Sequence, residues 1–152
     1  MRGNRKRATD MPLNPCYDDF AVFAASSKLK QLEVQVDSTP LPPAAFAAMF
    51  GGSKQLTALT DLLFSVNCDQ PWGLGTTELQ AIVHSCPKLI GLTARGCVQP
   101  DVDWSVLSEL QHLVAIDASP VSDADVDKLA TLVRLKGLSV ASQRHFCGCQ
   151  TD

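Results

Sequence analysis

His145, Cys147 and Cys149 fall within one five-residue stretch, His-Phe-Cys-Gly-Cys, and are the first candidates for chemistry. Zinc would take such thiolates and an imidazole in a tetrahedral shell. No second pair of ligands stands at a zinc spacing from them, so no metal is expected. Cys149 is fourth from the end, where a prenylated cysteine would sit. Gln150, Thr151 and Asp152 are not the aliphatic tail that modification needs. Gly73-Leu74-Gly75 is too short for a phosphate-cradling loop and carries no Lys-Ser/Thr pair. His84, beside Ser85, reads as a surface or helix-cap residue. Cys86 and Cys97 read as packing residues, since a free thiol behaves as a small hydrophobe. The carboxylates Glu33, Asp61 and Asp117 could bind a basic group, provided some scaffold brings them onto one face.

That scaffold is announced by a spacing. Leu89, Leu92, Ala94 and Cys97 follow the pattern L-x-x-L-x-L-x-x-C/N. Leu59, Leu62, Phe64 and Asn67 repeat it, and so do Leu29, Leu32 and Val34, with Asp37 replacing the Asn. Leu113, Ile116 and Ala118, and then Leu135, Leu138 and Val140, keep the apolar positions without the Asn or Cys. The starts at 29, 59, 89, 113 and 135 are 30, 30, 24 and 22 residues apart. Five near-regular recurrences point to stacked copies of one strand-bearing unit. In a strand, side chains alternate faces, so Leu92 and Ala94 point inward while Gly91, Thr93 and Arg95 point outward. A rival register for the second unit, starting at Leu56, would turn Asp61 inward as an unpaired buried carboxylate, which is costly.

Helices are expected between the strands. Asp18 to Ser27, led by acids that suit a helix N-terminus, reads as a capping helix before the first strand. Ala44 to Phe50 follows prolines and ends at Gly51-Gly52. Thr76 or Thr77 is placed to cap a helix whose Leu79, Ile82, Val83 and Cys86 share one face. Trp104, Leu107 and Leu110 form a shorter apolar face. Ser122 to Asp125 opens a last helix, with Val126, Leu129, Ala130 and Val133 on one side.

The runs Leu79 to Cys97 and Val121 to Leu138 resemble the cysteine-containing leucine-rich repeats of F-box substrate receptors and ribonuclease-inhibitor-like scaffolds. The likeness covers about residues 28 to 141, and its most specific part is the Cys86-Pro87 to Cys97 spacing. Leu41 to Phe50 is also similar to the opening of an F-box, but a strand follows where such a module would continue as helix. The expected fold is therefore α/β: a short leucine-rich-repeat solenoid of about five repeats, with a parallel sheet on the concave side and helices on the convex side. Residues 1–15 are read as a disordered basic tail, 16–141 as the repeat domain with its capping helix, and 142–152 as a C-terminal tail.

Composition bounds the function. The chain has 152 residues, 45% of them hydrophobic and 19% charged, ordinary for one folded domain. A net charge of −3 does not point the whole chain at nucleic acid or a membrane. No apolar run reaches the roughly 18 to 20 residues of a span. No apolar core follows the basic Arg2 to Arg7 stretch, as a secretory signal would require. Scattered cysteines suit reduced thiols in the cytoplasm or nucleus.

Outward strand positions then define the candidate site: Gln31, Glu33, Gln35, Asp61, Leu63, Ser65, Thr93, Arg95, Asp117, Ser119 and Ser139. The set is mostly small and polar, with acids set against one arginine, and suits a protein partner of some basic character. No His or Cys stands beside a carboxylate in any column, so no catalytic residue, metal or cofactor is expected. The reading is a non-catalytic protein-binding module. The family likeness implies a substrate receptor or scaffold in a larger complex. A small α/β enzyme with a nucleotide or metal ligand is the alternative, which a thermal-shift screen would reveal. The last strand leaves a sheet edge that residues 141–152, further repeats or a second copy would have to cover.

Overall fold

The computed structural model describes residues 5–7, 26–36, 41–51, 56–66 and 73–142, with residues 5–7 and 141–142 described in backbone only. The capping helix expected at Asp18 to Ser27 falls almost wholly outside these residues, as does the His145 to Cys149 stretch.

Each expected strand forms: β2 Gln31–Val36, β3 Asp61–Val66, β4 Gly91–Arg95, β5 Ala115–Val121 and β6 Gly137–Ser142. They lie side by side in chain order, all parallel, in one sheet of six strands. The first strand, β1 Arg5–Arg7, comes from the stretch read as a disordered tail and pairs parallel with β2. Its pairing needs only backbone N–H and C=O groups, and no alternation of apolar residues announces it.

One backbone device recurs at the entrances of β3, β4, β5 and β6. The N–H groups of Thr60 and Asp61 both donate to the Lys30 carbonyl; those of Ile90 and Gly91 donate to Thr60. Val114 and Ala115 donate to Ile90 in the same way, and Lys136 and Gly137 to Val114. A tight turn precedes each of these strands, with N–H to carbonyl bonds from Leu59 to Leu56, Leu89 to Cys86, Leu113 to Leu110 and Leu135 to Leu132. These bonds fix register, and register decides which face each side chain takes.

Leu32, Leu62, Leu92, Ile116 and Leu138 consequently form one row across the sheet. Val34, Phe64, Ala94, Ala118 and Val140 form the next. In both rows the members on β2 to β5 are buried. On β6 they are not: Leu138 is 38% and Val140 36% exposed. Their sequence pattern matches that of the inner strands, but burial needs a further layer beyond them.

The helical elements cover the same face. They are α1 Pro43–Phe50, α2 Thr76–Ser85, a 3-10 segment at Trp104–Glu109 and α3 Asp123–Ala130. Each packs against the next in chain order, and their buried side chains join the sheet rows in one core. The 22- and 24-residue spacings leave less chain between strands than the 30-residue ones. In the 24-residue unit Trp104, Leu107 and Leu110, each three residues apart, form 3-10 turns, whose period is 3.0, whereas the 22-residue unit still fits the eight-residue α3. The buried Ser85 hydroxyl donates to the Phe50 carbonyl at 2.5 Å, closing a free C-terminal acceptor of α1 with a residue of α2.

Two local expectations need correction. The cap of α2 is Gly75 rather than a threonine: the Gly75 N–H donates to Glu78 Oε2 at 3.0 Å. Thr76 is already helical, and its hydroxyl accepts from the Asp103 N–H at 2.9 Å. In α3, Val126 and Leu129 face the core, but Ala130 is exposed and Val133 is 96% exposed. The helix stops at Ala130, so Val133 lies past its apolar stripe.

Ser122 caps α3 as expected, accepting from the Asp125 N–H at 3.2 Å and donating to Asp125 Oδ2 at 2.5 Å. Burial alone would raise the Asp125 carboxyl, but the Ser122 hydroxyl and Lys128, 3.3 Å from Oδ1, hold it below the ordinary carboxylate value. A depressed folded-state pKa contributes stability above the unfolded value and loses it as pH falls through the folded one. Ser122→Ala is therefore expected to cost about 1 kcal/mol at neutral pH. That gap from wild type should narrow below about pH 4, as Asp125 protonates. Urea unfolding at both pH values checks it.

Candidate functional site

The face of the sheet opposite the helices carries the outward residues, and the ladder aligns them. Gln31, Asp61, Gly91, Ala115 and Gly137 form a first row. Glu33, Leu63, Thr93, Asp117 and Ser139 form a second. Gln35, Ser65 and Arg95 start a third. Ser119 does not continue it, because an irregularity after Ala118 breaks the register. Its hydroxyl oxygen instead accepts from the Gly96 N–H at 3.1 Å, and its carbonyl from Cys97 N–H at 3.3 Å.

The first two rows line a depression of about 490 Å³. Its floor is low over Gly91, Ala115 and Gly137, which contribute at most a methyl group each. Among the described side chains Glu33, Asp61 and Asp117 supply its charge, and the register of β1 sets Arg5 beside Gln31 and Arg7 beside Glu33 at one end of the same two rows. Gln35, Ser65, Arg95 and Ser119 lie beyond its rim. Two of the charged residues are committed to each other: Arg95 donates from Nε to Asp117 Oδ2 at 2.9 Å and again from its terminal nitrogen. That hydrogen bond, and then the carboxylate charge, push the Arg95 pKa up from its ordinary value, so the guanidinium stays charged. Asp61 is held differently. The Thr60 hydroxyl donates to its Oδ2 at 2.7 Å, and its Oδ1 lies 3.1 Å from where a Cβ on Gly91 would stand.

Thr60 is the residue that sequence reasoning missed. It precedes the strand, and nothing in the pattern marks its hydroxyl as the partner of Asp61. Strand alternation puts Gly91 and Gly137 on the outward face, but their effect, a hollow, follows only from their adjacency across strands to Ala115.

The buried Cys86 and Cys97 are remote from nucleophilic use. Burial pushes each thiol up to about 12, so both stay protonated near neutrality. His84 is exposed at the end of α2. Among the described residues no group of three His, Cys, Asp or Glu side chains could hold a metal ion. Among them, too, no helix is long and apolar enough to cross a membrane.

No family model, curated protein or solved structure matches the chain. What the fold defines is the class: an α/β protein whose all-parallel sheet is covered by helices on one face, with no described element on the other.

Proposed function

We propose that this chain is a short leucine-rich-repeat solenoid that works as a non-catalytic protein-binding module, with the open sheet face as its docking surface. The recurrence of one turn-and-ladder device from unit to unit supports the repeat reading. The observation that carries the functional reading is the 490 Å³ depression built from two aligned rows, with the carboxylates of Glu33, Asp61 and Asp117 along it. A rigid sheet that offers a wide, shallow, charged floor suits recognition of a protein surface. A role as substrate receptor or scaffold within a larger assembly rests on the likeness to F-box receptors alone.

The test uses the full chain as bait, with Asp61→Ala, Asp117→Ala and Arg95→Ala variants alongside wild type. At a central contact, truncation costs about 2 kcal/mol, roughly a thirtyfold loss of affinity. Asp61→Ala is expected to show this loss, and Asp117→Ala to release Arg95 as well. A captured partner that keeps its affinity through all three substitutions docks elsewhere, and the reading fails.

A further inference from the structure

We propose that β6 pairs antiparallel with β6 of a second copy of this chain, about a twofold axis at Ser139, so that the two sheets become one. This contact is separate from the concave docking face proposed above. Backbone direction sets its register. The Gly137 N–H donates to the Val114 carbonyl at 2.9 Å and so points toward β5. Backbone groups alternate edges along a strand, so the N–H and C=O of Leu138 and Val140 point to the outer edge. No described strand lies beyond that edge. In an antiparallel pair, opposed residues that face each other exchange two hydrogen bonds, and the pair between them exchanges none. Leu138 opposite Val140 of the second copy meets this rule, and the twofold repeats the match. Ser139, whose backbone groups point back toward β5, then faces Ser139 of the second copy as the intervening pair.

The side chains suit the same axis. Gly137 to Ala141 reads small, aliphatic, small, aliphatic, small, nearly alike in both directions. An isologous contact needs such self-complementarity. The large apolar side chains left exposed among the described residues are Ile90, Val133, Leu138 and Val140, and three of these four lie in the last unit. Pairing gathers Leu138 and Val140 of both copies into one aliphatic cluster on the helix-covered side, in rows that are buried on β2 to β5. Charge does not oppose it. Edges are commonly guarded by charged residues or proline, and Gly137–Ser142 has neither. At the other end, β1 is Arg-Lys-Arg, which would repel a second β1. A head-to-tail stack of β6 on β1 would set Lys6, which shares a row with Leu32, into the row of Leu138. The residues that follow, Gln143 to Asp152, carry no further leucine-spaced unit. Gly137 and Ser139 line the end of the 490 Å³ depression, so the pairing carries both outward rows into the second copy.

Size-exclusion chromatography with light scattering on the full, reduced chain is expected to give the mass of two chains. Val140→Lys should weaken dimerisation at least tenfold, while Gln80→Lys, on the exposed side of α2, should leave it unchanged. Ser139→Cys reports the register. The Cα atoms of an opposed non-bonded pair lie about 4.5 Å apart, within disulfide reach. Air oxidation should therefore join two copies through the introduced thiols, which peptide mass spectrometry distinguishes from the native cysteines. A wild-type chain with the mass of one chain overturns the proposal. So does a dimer whose introduced thiols stay unlinked, since the copies then meet elsewhere. Assemblies that grow beyond two chains with concentration indicate head-to-tail stacking and overturn the twofold. Where the two variants disagree, or Val140→Lys fails to fold, the linkage at position 139 decides.

Discussion

Phe64→Ala is expected to lower the unfolding free energy by about 3–5 kcal/mol. Phe64 is fully buried on β3. Its ring lies 6.2 Å from that of Phe46 and 6.1 Å from that of Phe50, which are themselves 4.9 Å apart. Three rings at these separations tie α1 to the sheet. Truncation would lose both the transfer free energy of the ring and the contacts around the void it leaves. The site cannot collapse easily, because the ladder to β2 and β4 fixes the backbone on both sides. Val140 provides the contrast. It occupies the same row on β6 but is 36% exposed, so Val140→Ala should cost under about 1 kcal/mol. Chemical denaturation of both variants decides the matter. Similar losses at the two positions would mean that the row does not run from a closed interior to an open end.

The same contrast marks what the sequence could and could not disclose. All five leucine-spaced strands were legible, because each rests on alternation and each strand entrance repeats the same short turn. The buried face of α2 was legible through its three- and four-residue spacing. Position along the stack was not: Leu138 and Val140 have the pattern of inner residues but lie on the last described strand, with no described layer beyond it. The strand at Arg5–Arg7 was hidden because charged side chains say nothing about backbone pairing. The cap at Gly75 was hidden because glycine brings no side-chain acceptor, and Glu78 supplies it from three residues on. At the site, alternation alone sorted the outward columns. The pairing of Arg95 with Asp117 crosses from the third row to the second. Such a diagonal depends on how far an arginine leans, which no column predicts. The grip of Thr60 on Asp61 is of the same kind.

Gly96→Ala is expected to cost roughly 2–5 kcal/mol, from the left-handed backbone penalty and a forced shift of packed strands. Gly96 has φ of +69°, a region where L residues are strained. The space is closed as well: a Cβ there would stand 2.3 Å from the Val66 carbonyl oxygen. That oxygen ends β3 and is backbone, so it cannot swing aside as a flexible side chain would. The Gly96 N–H also donates to Ser119 Oγ, so a shift of the turn would strain its tie to β5. Gly137→Ala is the matched control. Its new methyl would meet only the Ala115 Cβ at 3.9 Å, an ordinary contact. Reduced freedom of the unfolded chain should then leave it neutral or up to about 1 kcal/mol more stable. Denaturation midpoints of the two variants should therefore move apart. If Gly96→Ala unfolds at the wild-type midpoint, the turn after β4 does not hold the chain against Val66, and the bend that follows the strand has some other cause.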